Sequence, residues 1–117
     1  MSADVTLAAR IGAAVARHVD EVVAIRRDIH AHPEVSRAET RTTALLADRL
    51  RAAGLEPRLL PGTGLVCDVG PEPGATTAGV PDGAAVPESR LALRADLDAL
   101  PLHDRSGLPS ASTEPGL

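Results

Sequence analysis

The stretch RLALRADLDALPLHD, Arg90 to Asp104, decides how this 117-residue chain is read. Leu91, Leu93, Ala95 and Leu97 fall on alternate positions, and Ala92, Arg94, Asp96 and Asp98 fall between them. A period of two predicts a strand with one apolar and one polar face, ended by Pro101. On that strand Asp96 and Asp98 project from the same face, about 7 Å apart. Such carboxylates are costly to bury unless something compensates them. They can bracket a metal ion or hold two neighbouring ligands. They can equally hydrogen-bond the turn at Ala99–Pro101, with Arg94 as charge partner. Spacing alone favours the turn.

Working outward, Ala8, Ile11, Val15, Val19, Val22, Ile25 and Ile29 recur at three- and four-residue steps. That is one face of a long amphipathic helix from about Asp4 to His32, stopped by Pro33. A second helix follows at once. Ser36 and Glu39 have the spacing of a capping box. Thr42, Leu45, Leu46, Leu50 and Ala53 form its stripe, and Gly54 sits where a left-handed residue ends a helix. Next, PGTG (61–64) reads as a turn between two short strands, of which Leu65–Val69 is the stronger. Pro57 and Pro61 place the first at an edge or outside the sheet. Residues 70–89 are rich in Pro and Gly and read as a flexible insertion. The order is helix, helix, strand, strand, strand. The fold class is α/β: two N-terminal helices packed on a small mixed sheet, in one domain over residues 1–117.

Composition bounds the rest. There is no Phe, Tyr or Trp, so Leu, Val, Ile and Ala must make a light core. The net charge is −4 with no basic stripe, which argues against nucleic acid. No apolar run is long enough to span a bilayer, and the N-terminus lacks a signal-peptide pattern, so a soluble cytoplasmic chain is expected. Cys67 stands alone in an apolar run and reads as a buried structural thiol.

The histidines add little on spacing. His30 and His32 are about 200° apart on a helix and cannot face one ion while it persists. A helix C-terminus favours them as cations. His18 falls beside the apolar stripe as a packing residue, and His103 is a lone histidine in a flexible segment. No P-loop, nucleophile elbow or dinucleotide fingerprint is present. Three chemistries use an Asp-x-Asp pair: a metal clamp in some sugar-nucleotide transferases, a dehalogenase-like phosphatase with Asp96 as nucleophile, and a metallohydrolase.

Four segments together resemble the N-terminus of aminoacylase-like metal-dependent amidohydrolases. They are RRDIHAHPEVSRAETRT, LADRLRAAGLEP, GTGLV and LALRADLDALPLHDRSGLPSAS, in that order. The branch most similar is that of the hippurate hydrolases and indole-acetyl-amino-acid amidohydrolases. RADLDALP followed by GLP is the most specific part, and VSR departs from the glycine and aromatic often found before that glutamate.

The resemblance implies a zinc-exopeptidase-like catalytic domain and a smaller dimerisation domain. It implies two zinc or manganese ions, a glutamate base, and N-acyl or N-aroyl amino acids or peptides as substrates. Full-length relatives would be homo-oligomeric. Asp96 falls where the wider family has a histidine ligand, and Asp98 where an aspartate orients that ligand from behind. The resemblance therefore makes Asp98 an orienter and Asp96 a less direct part of the site wall, with no metal ligand assigned here. The family's His-Ala-Cys-Gly-His-Asp ligand segment and catalytic glutamate have no counterpart. The chain thus reads as a truncated N-terminal quarter to third, inactive and metal-free alone. The alternatives are a non-catalytic interaction remnant and the phosphatase.

Overall fold

A computed structural model describes residues 6–70 and 91–117. They fall into two compact units, Met1–Pro33 with Ala99–Leu117, and Glu34–Asp98.

In the first unit, helix α1 spans Leu7–Ala31. Thr6 caps it: its Oγ1 accepts the Ala9 N–H at 3.3 Å, satisfying one of the first-turn donors. The helix ends one residue short of the predicted His32. The His32 N–H reaches the carbonyls of Asp28 and Ile29, both at 3.2 Å, and Pro33 cannot continue the ladder. No residue of α1 is buried, and Ile11, Val15 and Val22 are 55%, 61% and 60% exposed. The N-terminal part of the stripe stands open, whereas Ile25 and Ile29 nearer its end are half-buried. His18 is therefore no packing residue: its side chain is exposed, 3.7 Å from Glu21.

The C-terminal segment is tied to α1. The Thr113 N–H and hydroxyl both donate to the Ala31 carbonyl, at 2.9 and 2.7 Å. One orphaned carbonyl of the last helical turn is thereby satisfied.

In the second unit, helix α2 spans Thr40–Ala52. It does not begin at Ser36. Glu39 stands at the cap position without capping, because its carboxylate is engaged elsewhere. Glu34 does the work from a distance, its oxygens accepting the N–H groups of Arg41 at 2.9 Å and Thr42 at 2.7 Å and the Thr40 hydroxyl at 3.2 Å. The chain reaches α2 through a turn closed by Ala38 N–H to Val35 carbonyl, with Arg37 at φ 67°. The helix ends as predicted. Gly54 adopts φ 80°, its N–H bonds the Arg51 carbonyl, and the Leu55 N–H bonds that of Leu50. These are the two bonds of a Schellman motif, which needs the left-handed residue.

Strands β1 (Arg58–Leu59) and β2 (Leu65–Val66) pair antiparallel, Arg58 with Val66 and Leu59 with Leu65. The turn between them contains PGTG, as predicted, and Leu60 N–H closes it onto the Gly64 carbonyl. The hydrophobic core is as light as composition requires. Ala47 is its one buried apolar residue among the described ones, beside Thr42, Thr43 and Glu39.

Two helices and a small sheet are thus present, a partial α/β architecture. Among the described residues the sheet is purely antiparallel and the third predicted strand does not join it: Leu91–Asp98 has no strand pairing there, and Leu93 is 91% exposed. Alternation specifies two faces of a strand but not the neighbour that must cover one of them. The 70–89 insertion lies, apart from Gly70, outside the described residues. No helix among those described is long and apolar enough to cross a membrane.

Candidate functional site

Asp96 and Asp98 line a polar cleft of about 490 Å³ within the second unit. One wall is the extended segment Arg94–Asp98. The other is built from the turn that leads into α2, through Ser36 and Glu39, and from the hairpin turn, through Thr63 and Gly64.

Two hydrogen bonds fix the turn against α2. The Thr63 hydroxyl donates to Glu39 Oε2 at 2.6 Å, and the Gly64 N–H donates to the Thr43 hydroxyl at 2.9 Å. Glu39 is only 8% exposed, so its carboxylate needs such a donor. The Thr63 hydroxyl, helped by Glu39's own N–H, holds that carboxyl below its ordinary range despite burial. Glu34 is also held low: burial opposes ionisation, but the N–H groups of Thr42 and Arg41 and the threonine hydroxyls outweigh it.

Across the cleft, Arg94 Nη2 lies 2.8 Å from Asp96 Oδ1. Both side chains are well exposed, so the pair is solvent-screened and adds little stability. Its consequence is occupancy: Asp96 has a cation beside it. Asp98, also exposed, stands in the same wall. The two predicted aspartates therefore share a cleft with Glu39, which spacing alone did not bring to them. Among the described residues, no three His, Cys, Asp or Glu side chains come together as a metal site. The described residues do not make up a metal centre by themselves.

The remaining singled-out residues are not among those that line this cleft. His30 Nε2 lies 3.2 Å from Asp104 Oδ2 in the first unit, at the end of α1. His32 Nδ1 lies 2.9 Å from the Asp28 carbonyl oxygen. His103 is exposed and lines no part of the cleft. Cys67 is half-buried and in no disulfide, rather than fully buried, and lies just past the end of β2 at Val66.

Asp104 was not anticipated from the sequence. Its Oδ1 accepts the Ser106 N–H at 2.7 Å, and its Oδ2 accepts the Ser112 N–H at 2.8 Å. Those two N–H groups, with the Ser106 hydroxyl and His30, lower its pKa from 3.8 to about 2. The Asp-x-Ser spacing of an Asx turn carries half of this signal. The contacts to His30 and Ser112 carry the rest and are not local.

Comparison with known proteins places this geometry in context. A Rhodococcus jostii protein bearing a glutamate–cysteine ligase name is 50% identical over 98 residues, 83% of this chain and 11% of that protein. The N-acetyl-L-cysteine deacetylase of Bacillus subtilis is 37% identical over 99 residues, 83% of this chain and 20% of that enzyme. Thermostable carboxypeptidase 1 of Saccharolobus solfataricus is 36% identical over 103 residues, 84% and 22% of the two chains. Further relatives at 33–37% identity bear amidohydrolase and deacetylase names. This chain thus spans about a tenth to a fifth of the length of the curated relatives it matches. Nearly nine-tenths of the Rhodococcus protein lies outside the match, so its ligase name need not describe the shared part. No family profile and no solved structure matches the chain.

Proposed function

We propose, from the premise that this chain belongs to the amidohydrolase family of its deacetylase and carboxypeptidase relatives, that it supplies the N-terminal wall of an amide-hydrolysing active site. The substrates in this reading are small N-acyl amino acids or peptides, as the relatives' names describe for those enzymes. In this reading the resemblance of the RADLDALP segment favours the hippurate-hydrolase branch.

The observation that carries the reading is the placement of Asp98 and Asp96 in one polar cleft, in a chain of which 99 residues match a deacetylase at 37% identity. Amide hydrolysis needs an activated water and a polarised carbonyl. In this family a divalent ion, zinc or manganese, supplies both. The described residues lack a ligand set for it, so the part assigned to this chain is orientation. A carboxylate such as Asp98 accepts the second ring N–H of a ligating imidazole and fixes its tautomer and direction. Arg94 holds Asp96 aside from that task. Glu39 and Thr63 keep the opposite wall in place. The relatives' names favour amide hydrolysis over a phosphatase that uses Asp96 as nucleophile.

A chimera tests it. The stretch of the Bacillus subtilis N-acetyl-L-cysteine deacetylase that this chain matches is replaced by this chain, and release of acetate from N-acetyl-L-cysteine is measured. The chimera is expected to be active, and its Asp98→Asn form to lose about 10- to 100-fold. A folded, inactive chimera would overturn the reading.

A further inference from the structure

We propose that Ser36 contacts the substrate in the polar cleft, its hydroxyl donating to the carbonyl oxygen of the amide that is cleaved. The inference rests on the amide-hydrolysing reading and deepens it, because it names the group that meets the substrate from the wall facing Asp98.

The polar side chains of the cleft are mostly engaged with one another. Six of them line it: Ser36, Glu39, Thr63, Arg94, Asp96 and Asp98. The Thr63 hydroxyl donates to Glu39 Oε2 at 2.6 Å, and Arg94 Nη2 donates to Asp96 Oδ1 at 2.8 Å. Among the described residues, neither Ser36 nor Asp98 has a side-chain partner, and they stand on facing walls. Asp98 as a carboxylate only accepts, whereas a serine hydroxyl can donate. Arg94 keeps further N–H groups, but it belongs to the wall of Asp98. Ser36 is the free side-chain donor of the other wall.

The backbone around Ser36 is held for this purpose rather than for capping. Glu34 accepts the first N–H groups of α2, so the helix makes no demand on the Ser36 hydroxyl. Ser36 sits instead in the turn closed by the Ala38 N–H on the Val35 carbonyl at 3.0 Å, beside Arg37 at φ 67°. That left-handed conformation is unfavourable for a residue with a Cβ, and strain of this kind gathers where a site needs a side chain aimed. The turn is tied at both ends, through Glu34 to α2 and through Glu39 to Thr63. A short side chain on a fixed backbone is a placed donor.

The reaction chooses the acceptor. In the amide-hydrolysing reading Asp98 marks the reaction centre, so the substrate group that enters this cleft is the amide itself. Its carbonyl oxygen gains negative charge as water adds to the carbon. A hydroxyl already aimed at that oxygen binds the transition state more tightly than the ground state.

The chimera with the Bacillus subtilis N-acetyl-L-cysteine deacetylase tests this through the kinetics of acetate release from N-acetyl-L-cysteine. Ser36→Ala is expected to lower kcat about tenfold. KM should change little, the split that marks a contact made in the transition state. Ser36→Thr, which keeps the hydroxyl, is expected to retain most of the activity. Urea unfolding should show Ser36→Ala as stable as its parent, which a capping or packing role would not allow. An active chimera whose Ser36→Ala form keeps the parent's kcat overturns the inference and leaves the amide-hydrolysing reading standing. So does a Ser36→Ala loss matched by a loss of stability, or a Ser36→Thr form as slow as Ser36→Ala. A folded chimera without activity overturns the reading, and the inference with it.

Discussion

Glu34 offers the sharpest check on how α2 is held. Glu34→Ala removes the acceptor of two N–H groups in the first turn of the helix, at 2.9 and 2.7 Å. Loss of an N-terminal cap costs about 1 kcal/mol. Loss of a negative charge at the positive end of the dipole adds about 0.5 kcal/mol. Glu34→Ala should therefore destabilise by about 1.5 kcal/mol, and Glu34→Gln, which keeps one acceptor oxygen, by about half as much. In urea unfolding followed by circular dichroism, the first variant should move the midpoint down by about 1 M. Glu34 is held below its ordinary value of 4.5 in the folded chain. Its charge thus stabilises fully above that value, and the contribution is lost as pH falls through the lower folded value. The gap between wild type and Glu34→Gln should be complete at neutral pH and close in acid. Ser36→Ala, which a capping box would make equally damaging, should change little. If Ser36→Ala costs more than Glu34→Ala, or if Glu34→Ala costs nothing measurable, the reasoning fails.

Other outcomes follow from the same geometry. Asp104→Asn should speed amide exchange at Ser106 and Ser112. In the wild type that protection should be complete above the ordinary 3.8 and be lost as pH falls through about 2, as NMR-detected exchange would register. Thr63→Val should destabilise more than Thr63→Ser in urea unfolding, because it leaves Glu39, 8% exposed, without its hydroxyl donor. Leu93→Lys should stay within about 0.5 kcal/mol of wild type, because the side chain is already in solvent; a large loss would restore Leu91–Asp98 as a packed strand.

The features legible in the sequence are those set by neighbours along the chain. Periodicity gave α1 and α2, Pro33 stopped the first helix, and Gly54 ended the second in the left-handed residue its motif requires. PGTG marked the reversal between β1 and β2. The start of α2 was misread because Ser36 and Glu39 match a local pattern, whereas the acceptor in use is Glu34, several residues upstream. Leu91–Asp98 was misread as a paired strand because alternation reports two faces and not what lies beside them. Cys67 and His18 were assigned inward on the same local logic, but Cys67 is only half-buried and His18 is exposed. The cleft was half legible. Asp96 and Asp98 were picked out by spacing and resemblance. Glu39 and Thr63 join them through a bond between residues 24 apart in sequence, and no short pattern announces such a pair.

The central claim is that this chain forms the N-terminal wall of an amidohydrolase site and that Asp98 positions a ligand there. The most direct measurement is acetate release by the Bacillus subtilis N-acetyl-L-cysteine deacetylase carrying this chain in place of its own matched stretch, with and without Asp98→Asn. The account predicts an active chimera and a loss of about 10- to 100-fold in the variant at unchanged stability. A folded chimera without activity, or an Asp98→Asn chimera as active as its parent, would contradict it.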